Sequence, residues 1–288
     1  MKQLCITLLL VILAPFTLLS QEIPVMWEEL TSPDFKVAVT KSKGVCIIPM
    51  GVLEKHGPHM PLGTDVIVAR DVAIKAAMKE YAIVFPFYFF GQIFEAKHQS
   101  GTIAYSPELL YKVLDETCHE IARNGIKKII LYSYHGGNNS FLKYFCQTQL
   151  ASEKDYVVYV AEHETPDEVS KVIDSKTVHI EGGHADETEA ANVMHIRPEL
   201  VKIERANDES GEAMGRLPLK NLYTGIWWYA DYPNHYAGNA IAAKPELGEI
   251  IINNRVNVLV EMIQTVKADS VAGSLQNEFY RRSSNPNE

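Results

Sequence analysis

The chain has 288 residues, 47% of them apolar, with 27 basic against 36 acidic residues and a formal net charge of -9. That is enough apolar material for a full core, and it fits one large domain more comfortably than two. The acidic balance argues against a nucleic-acid binder, which presents a basic face.

Lys2 precedes an apolar run from Leu4 to Phe16, and Ser20 stands before polar Gln21. This is the pattern of a secretory signal peptide over residues 1–20. It predicts export, to a periplasm or the medium, with no stable membrane span after cleavage. The alternative is an uncleaved membrane anchor, for which the run is short of the ~20 residues that span a bilayer. The main domain is then residues 21–280, and 281–288 reads as a polar, mobile tail. Beyond the leader, Cys46, Cys118 and Cys146 are odd in number and lack paired spacing. Cys46 and Cys118 fall on apolar patterns and read as small core residues.

Gly44 to Met50 is a continuous apolar run ending in a Gly- and Pro-rich stretch, the signature of a buried parallel strand. A helical pattern follows Asp65, and Ala82–Phe87 is the next strand. A loop with Gly91, Glu95, His98, Gly101 and Thr102 leads to a helix that Ser106 caps, Pro107 opens and Gly125 ends. Lys127–Tyr132 is a strand that runs into His135 and a further helix. Asp155–Val160 is another strand, and Gly182–Glu189 opens a helix to about His195. Glu204–Gly215 is polar and reads as a surface loop. Strands alternating with helices predict an α/β fold with a mostly parallel sheet.

Ligand-type residues gather at three places. Glu54, His56, His59 and Asp65 crowd one rigid loop after the first strand, and His135 follows the strand through Leu131. His184, Asp186, Glu187 and Glu189 stand at the start of a helix. Each alone has a plain structural reading: a surface charge, a bonded turn histidine, a helix cap. Asp186 and Glu189 in particular have capping-box spacing. Together, at the carboxyl ends of parallel strands, they read as a site. His and carboxylate donors suit Zn²⁺ or Mn²⁺ and do not suit a thiolate-seeking metal. Asn138-Asn139-Ser140 fits a glycosylation pattern, but a glycan there would block that site, so the reading is rejected.

Glu54-Lys55-His56-Gly57-Pro58-His59-Met60-Pro61 with Thr64-Asp65 resembles the signature of the creatininase (creatinine amidohydrolase) family. His135-Gly136-Gly137-Asn138 and His184 through Glu189 resemble its second and third motifs. The resemblance spans roughly Gly44 to Ile252. It implies a three-layer α/β/α sandwich, two divalent metal ions and hydrolysis of C–N bonds in amides or cyclic amides, and many members are hexamers. Carried over by motif, Glu54, His56, Asp65 and His135 are metal ligands, with Asp65 bridging. Creatininase proper has a Glu two residues after the second-motif His, where this chain has Gly137. Glu189 is the candidate for the missing ligand, with Glu187 in reserve and counted with His184 among the catalytic candidates. His184 is the expected proton shuttle to the leaving nitrogen. His59 and Asn138 are expected to support the ligands through hydrogen bonds. Zn²⁺ is the first choice of metal, and the same donors accept Mn²⁺ or Fe²⁺.

Trp228 and Asp231, in a late aromatic cluster with His235, and His98 are candidates for holding a flat, polar, small amide or lactam-like substrate. The same residues could fill a core or an interface. Alternatives to an amidohydrolase are a metallopeptidase of the same family and a non-catalytic ligand-binding protein on the same fold. A homo-oligomer is inherited from the resemblance.

Overall fold

A computed structural model describes residues 23–287, so the expected signal segment lies outside the described residues. Helix α1 (Ser32–Lys41) begins at Thr31, whose hydroxyl accepts the Asp34 N–H. Strand β1 (Val45–Met50) is buried along its whole length. Helix α2 (Thr64–Lys79) follows the motif loop, and β2 is only Ile83–Val84. The apolar pattern extends β2 to Phe87, but Pro86 has no N–H to donate. The ladder therefore breaks once the Phe85 N–H has reached the Ile47 carbonyl at 2.8 Å, and it resumes only as a single bridge between Met50 and Tyr88.

The chain continues through α3 (Pro107–Arg123), which Ser106 caps, β3 (Lys128–Ser133), α4 (Asn138–Thr148) and β4 (Val157–Val160). Then come α5 (Asp167–Lys176), β5 (Gly182–His184), α6 (Glu187–Ile196), α7 (Trp227–Asp231) and β6 (Ala237–Gly238). The long α8 (Pro245–Ala268) and α9 (Ala272–Ser284) close the chain. Part of the stretch read as a polar tail is thus helical.

The main sheet has the order β2-β1-β3-β4 and every pair in it is parallel. Side chains alternate across it. Val45, Ile47, Ile130 and Tyr132 pack with α2, α6 and α8 on one face. Cys46, Ile48, Met50, Ile129 and Leu131 pack with α3 and α4 on the other. This is the expected three-layer α/β/α arrangement. Burial pushes the Cys46 and Cys118 thiols up, which suits core residues and not nucleophiles. β5 and β6 form a separate antiparallel pair beside the carboxyl ends of the main sheet's strands. Helix α8 lies against α6 at Gly248, where a side chain would run into the Ala191 carbonyl. No helix among the described residues is long and apolar enough to cross a membrane.

Candidate metal centre

β1 and β3 run side by side, with Met50 opposite Ser133, so the loops after them open at the same end of the sheet. Glu54 and His56 come from the first loop and His135 from the second, and all three are buried. Asp65 sits in the first turn of α2, where the helix dipole favours a carboxylate. Its Oδ2 accepts the Val52 N–H at 3.4 Å. Gly51 makes this possible: a Cβ there would lie 2.5 Å from the Asp65 Cβ and 2.6 Å from the Val66 nitrogen. Gly51→Ala is therefore expected to cost about 1–3 kcal/mol through overpacking and to weaken metal binding by displacing Asp65. Denaturant unfolding and metal content measured on the same sample check both effects, and an unchanged protein would refute the argument.

Two donor groups share Asp65. One is Glu54, Asp65 and His135; the other is His56, Asp65 and Glu189; in each the donor atoms lie within 4.8 Å of one another. His135 Nδ1 is 2.8 Å from Glu54 Oε1 and 3.2 Å from Asp65 Oδ2. His56 Nε2 is 3.3 Å from Asp65 Oδ1 and 3.9 Å from Glu189 Oε2. A third group joins Glu54, His56 and His184.

The imidazoles are oriented by backbone carbonyls, which can only accept. His135 Nε2–H donates to Gln92 O at 2.7 Å, His56 Nδ1–H to Glu54 O at 3.2 Å, and His184 Nε2–H to Lys55 O at 2.9 Å. Each neutral ring then turns a bare nitrogen toward the carboxylates. His56 Nε2 and Glu54 Oε1 are buried with no hydrogen-bond partner among the described residues. Unsatisfied acceptors of this kind, converging on one another, fit a divalent cation, and carbonyl-bonded imidazoles are the usual support of a metal ligand.

Without a cation, protons must supply the counter-charge. Burial works against ionisation of Glu54, but His135, His184 and His235 outweigh it and hold the carboxyl well below the usual range. Burial opposes the charged form of His56 as well, yet Asp65 prevails and pushes it up to about 9. His135 is likewise raised despite its burial, by Glu54 and Asp65. Glu189 is pushed up to about 8, chiefly by burial. His184 is pushed down to about 3 by burial and by His56 beside it, their ring centroids 4.3 Å apart.

The other expected residues fall on both sides of the site's edge. Asp186 caps α6, its Oδ1 accepting the Thr188 and Glu189 N–H groups. Glu189 does not close the box on Asp186; its Oε2 accepts the Ala185 N–H at 2.6 Å. Ala185 has φ 57°, a strained value for a residue with a Cβ. It is held from the other side by His59, whose Nε2–H donates to the Ala185 carbonyl at 3.0 Å. Burial keeps His59 down at about 4. Asn138 is buried, accepts the Gln92 N–H at 2.9 Å and donates to Ser133 Oγ, so it braces the loop that receives the His135 bond.

Glu187 does not join the centre. It is buried on another face of α6, where its carboxylate accepts the Val178 and His179 N–H groups. Residues two apart on a helix point in different directions, so the reserve role given to Glu187 is corrected. Asp231 is not in the cleft either: its Oδ1 accepts the Gly215 N–H at 3.0 Å. Gly137 could not carry a ligand without rearrangement, because a Cβ there would lie 2.5 Å from His135 Nε2 and 2.6 Å from Gln92 Oε1.

The centre opens into a cleft of about 1020 Å³ lined also by Gln92, Glu95, His98 and the aromatic residues Trp227, Trp228 and Tyr229. Trp228 stands edge-on to His184, centroids 5.7 Å apart. His98 is at the exposed rim, with Nε2–H donating to Pro233 O. One residue was missed as part of the site. His235, noticed only as a member of the aromatic cluster, is buried and bonds Glu54 Oε2 through its Nε2.

A family model described as creatininase, creatinine amidohydrolase, matches residues 28–263. The creatinine amidohydrolase of Pseudomonas putida is 24% identical over 194 residues, 62% of this chain and 75% of that protein. The mycofactocin precursor peptide peptidase of Mycobacterium ulcerans is 25% identical over 214 residues, 71% of this chain and 78% of that one. A crystal structure of creatinine amidohydrolase aligns with a TM-score of 0.73 at 22% identity, covering 86% of this chain and 99% of the other. Creatininases described as Zn–Zn and Mn forms also match.

Proposed function

Since the chain belongs to the creatininase family of hydrolases, we propose that it cleaves the C–N bond of an amide at a two-metal centre. The observation that carries this reading is the pair of buried, partnerless acceptors, His56 Nε2 and Glu54 Oε1, on either side of Asp65. Glu54, Asp65 and His135 would hold one ion, and His56, Asp65 and Glu189 the other. Two divalent ions held there, Zn²⁺ first and Mn²⁺ or Fe²⁺ by the same donors, would supply Lewis acidity toward a carbonyl and lower the pKa of a water toward neutrality.

The remaining work falls to the chain. His184, neutral and with Nδ1 bare, accepts a proton from the attacking water and returns it to the leaving nitrogen, which departs poorly as an anion. Trp228 walls the cleft beside it and orients a flat substrate. The substrate is a small cyclic or linear amide. A second reading, a peptidase, draws on the size of the cleft, about 1020 Å³, at the top of the ~300–1,000 Å³ range of small-molecule pockets. Export, read from residues 1–20, belongs to the same proposal. So does a homo-oligomer, for which the exposed Val178, Ile180, Leu222 and Tyr223 offer apolar surface.

The test is metal content per chain together with turnover of lactams, linear amides and short peptides. Two ions with amide turnover support the reading, and peptide turnover alone favours the peptidase. One ion or none, with no turnover, moves the chain to a ligand-binding role. His184→Gln is expected to keep both ions and to lower kcat by about 10²–10⁴-fold; a variant that loses its metal would make His184 a ligand.

A further inference from the structure

His235 is 2% exposed and has φ 56° in the turn after α7. Its backbone is fixed at both ends, with N–H donating to Tyr232 O at 3.0 Å and the carbonyl accepting the Gly57 N–H at 3.3 Å. The second bond ties it to the motif loop. Its ring has two partners. The Trp228 indole N–H donates to Nδ1 at 3.0 Å, and Nε2 meets Glu54 Oε2. An indole nitrogen can only donate, so Nδ1 must present its lone pair. In the neutral ring the proton is then on Nε2, which donates to Glu54.

That bond decides which oxygen Glu54 offers. Oε2 is engaged by His235, while Oε1 is buried without a hydrogen-bond partner among the described residues and faces the bare His135 Nδ1. We propose that His235 is a positioning residue that presents Glu54 to the metal through Oε1 alone, and that Trp228 holds His235 in the tautomer this requires. Trp228 also lines the cleft. The substrate wall and a metal ligand are therefore one hydrogen-bonded unit, Trp228 to His235 to Glu54. A ligand that shifts the indole alters the donor on Glu54. The inference rests on the metal-centre reading above.

The experiment needs no substrate. Metal-free protein is titrated with Co²⁺, read by its visible absorption and by competition with a chelator of known affinity, in wild type, His235→Ala, His235→Gln, Trp228→Phe and the Ala/Phe double variant. His235→Ala is expected to weaken Co²⁺ binding about 10–100-fold, the usual effect of losing an outer partner. His235→Gln should recover most of it, because the Gln side-chain amide can donate to Oε2. Trp228→Phe keeps an aromatic ring and removes the N–H, so it should weaken binding by a smaller factor and add nothing in the Ala background. Unchanged affinity in His235→Ala overturns the proposal, as does additivity of the two changes. Failure of Gln to rescue, with an absorption change reporting one ligand fewer, overturns it too by making His235 a ligand. Thermal melts of the metal-free variants show which are folded, and if His235→Ala is not, the Gln and Phe variants carry the test. Wild-type protein that binds no Co²⁺ defeats the metal-centre reading itself, an outcome distinct from all of these.

Discussion

Asp65→Ala is expected to empty both metal positions and abolish hydrolysis, whereas Glu189→Ala is expected to leave one ion bound. Asp65 faces both histidine donors with a different oxygen for each, Oδ1 3.3 Å from His56 Nε2 and Oδ2 3.2 Å from His135 Nδ1. Glu189 belongs to the His56 group alone of the two groups that meet at Asp65. Losing a shared ligand should exceed the ~10–100-fold effect of losing an outer-shell partner, so turnover should fall below detection. Asp65→Asn guards against a folding artefact, since its amide oxygen can still accept the Val52 N–H. Metal per chain and turnover on the same preparations check the claim. Two ions retained in either Asp65 variant would remove Asp65 from the centre.

Chelation is expected to produce the second large effect, and one whose size depends on pH. An ion present at about 1,000 times its Kd stabilises a fold by about 4 kcal/mol, so removing two should lower Tm by on the order of 10 °C or more in a domain of this size. The pH dependence of the metal-free protein follows from its proton-held charges. His56 rises from 6.5 to about 9 on folding, so its contribution is complete below pH 6.5 and disappears as pH climbs through 9. Glu189 rises from 4.5 to about 8, so its contribution is lost between those values. Glu54 and Asp65, held low, and His184 and His59, pushed down to about 3 and 4, lose their contributions on the acid side. Metal-free protein should therefore melt lower at pH 9 than at pH 6. Restored Zn²⁺ should reverse that order, because binding releases the same protons. Calorimetric melts at the two pH values, with and without chelator, decide it; a metal-free protein more stable at pH 9 would contradict the assignment of these charges.

The parts of the molecule that could be read from sequence were those where local pattern and position coincide. β1 and β3 are covered on both faces, so Val45–Met50 and Lys128–Ser133 are nearly unbroken apolar runs, and each ends at ligand-type residues. Parallel pairing brings those ends together, which is why Glu54, His56 and His135 group from the sequence alone. Helix α8 was harder. Its consecutive Ile250, Ile251 and Ile252 suit a buried strand as well as a helix, and only packing on α2 and α6 decides between them. Glu187 and Glu189 look equivalent as letters in a motif, but a helix sends them to different faces. His235 had no local signal, since its partner Glu54 lies 181 positions away and the contact depends on the turn that follows α7.

The close approach of α8 to α6 at Gly248 has a consequence for the order of assembly. Donors at 54, 56, 65, 135 and 189 come from three separate stretches of the chain, and the last rides on a helix whose seat is the backbone contact between Ala191 and Gly248. A ribosome-bound chain that ends before α8 has every donor residue but lacks the largest surface on which α6 docks, and keeps only α2 and the sheet. Complete loading with metal should therefore be a late event in the life of the molecule, after synthesis has passed Ala268 and α8 has packed.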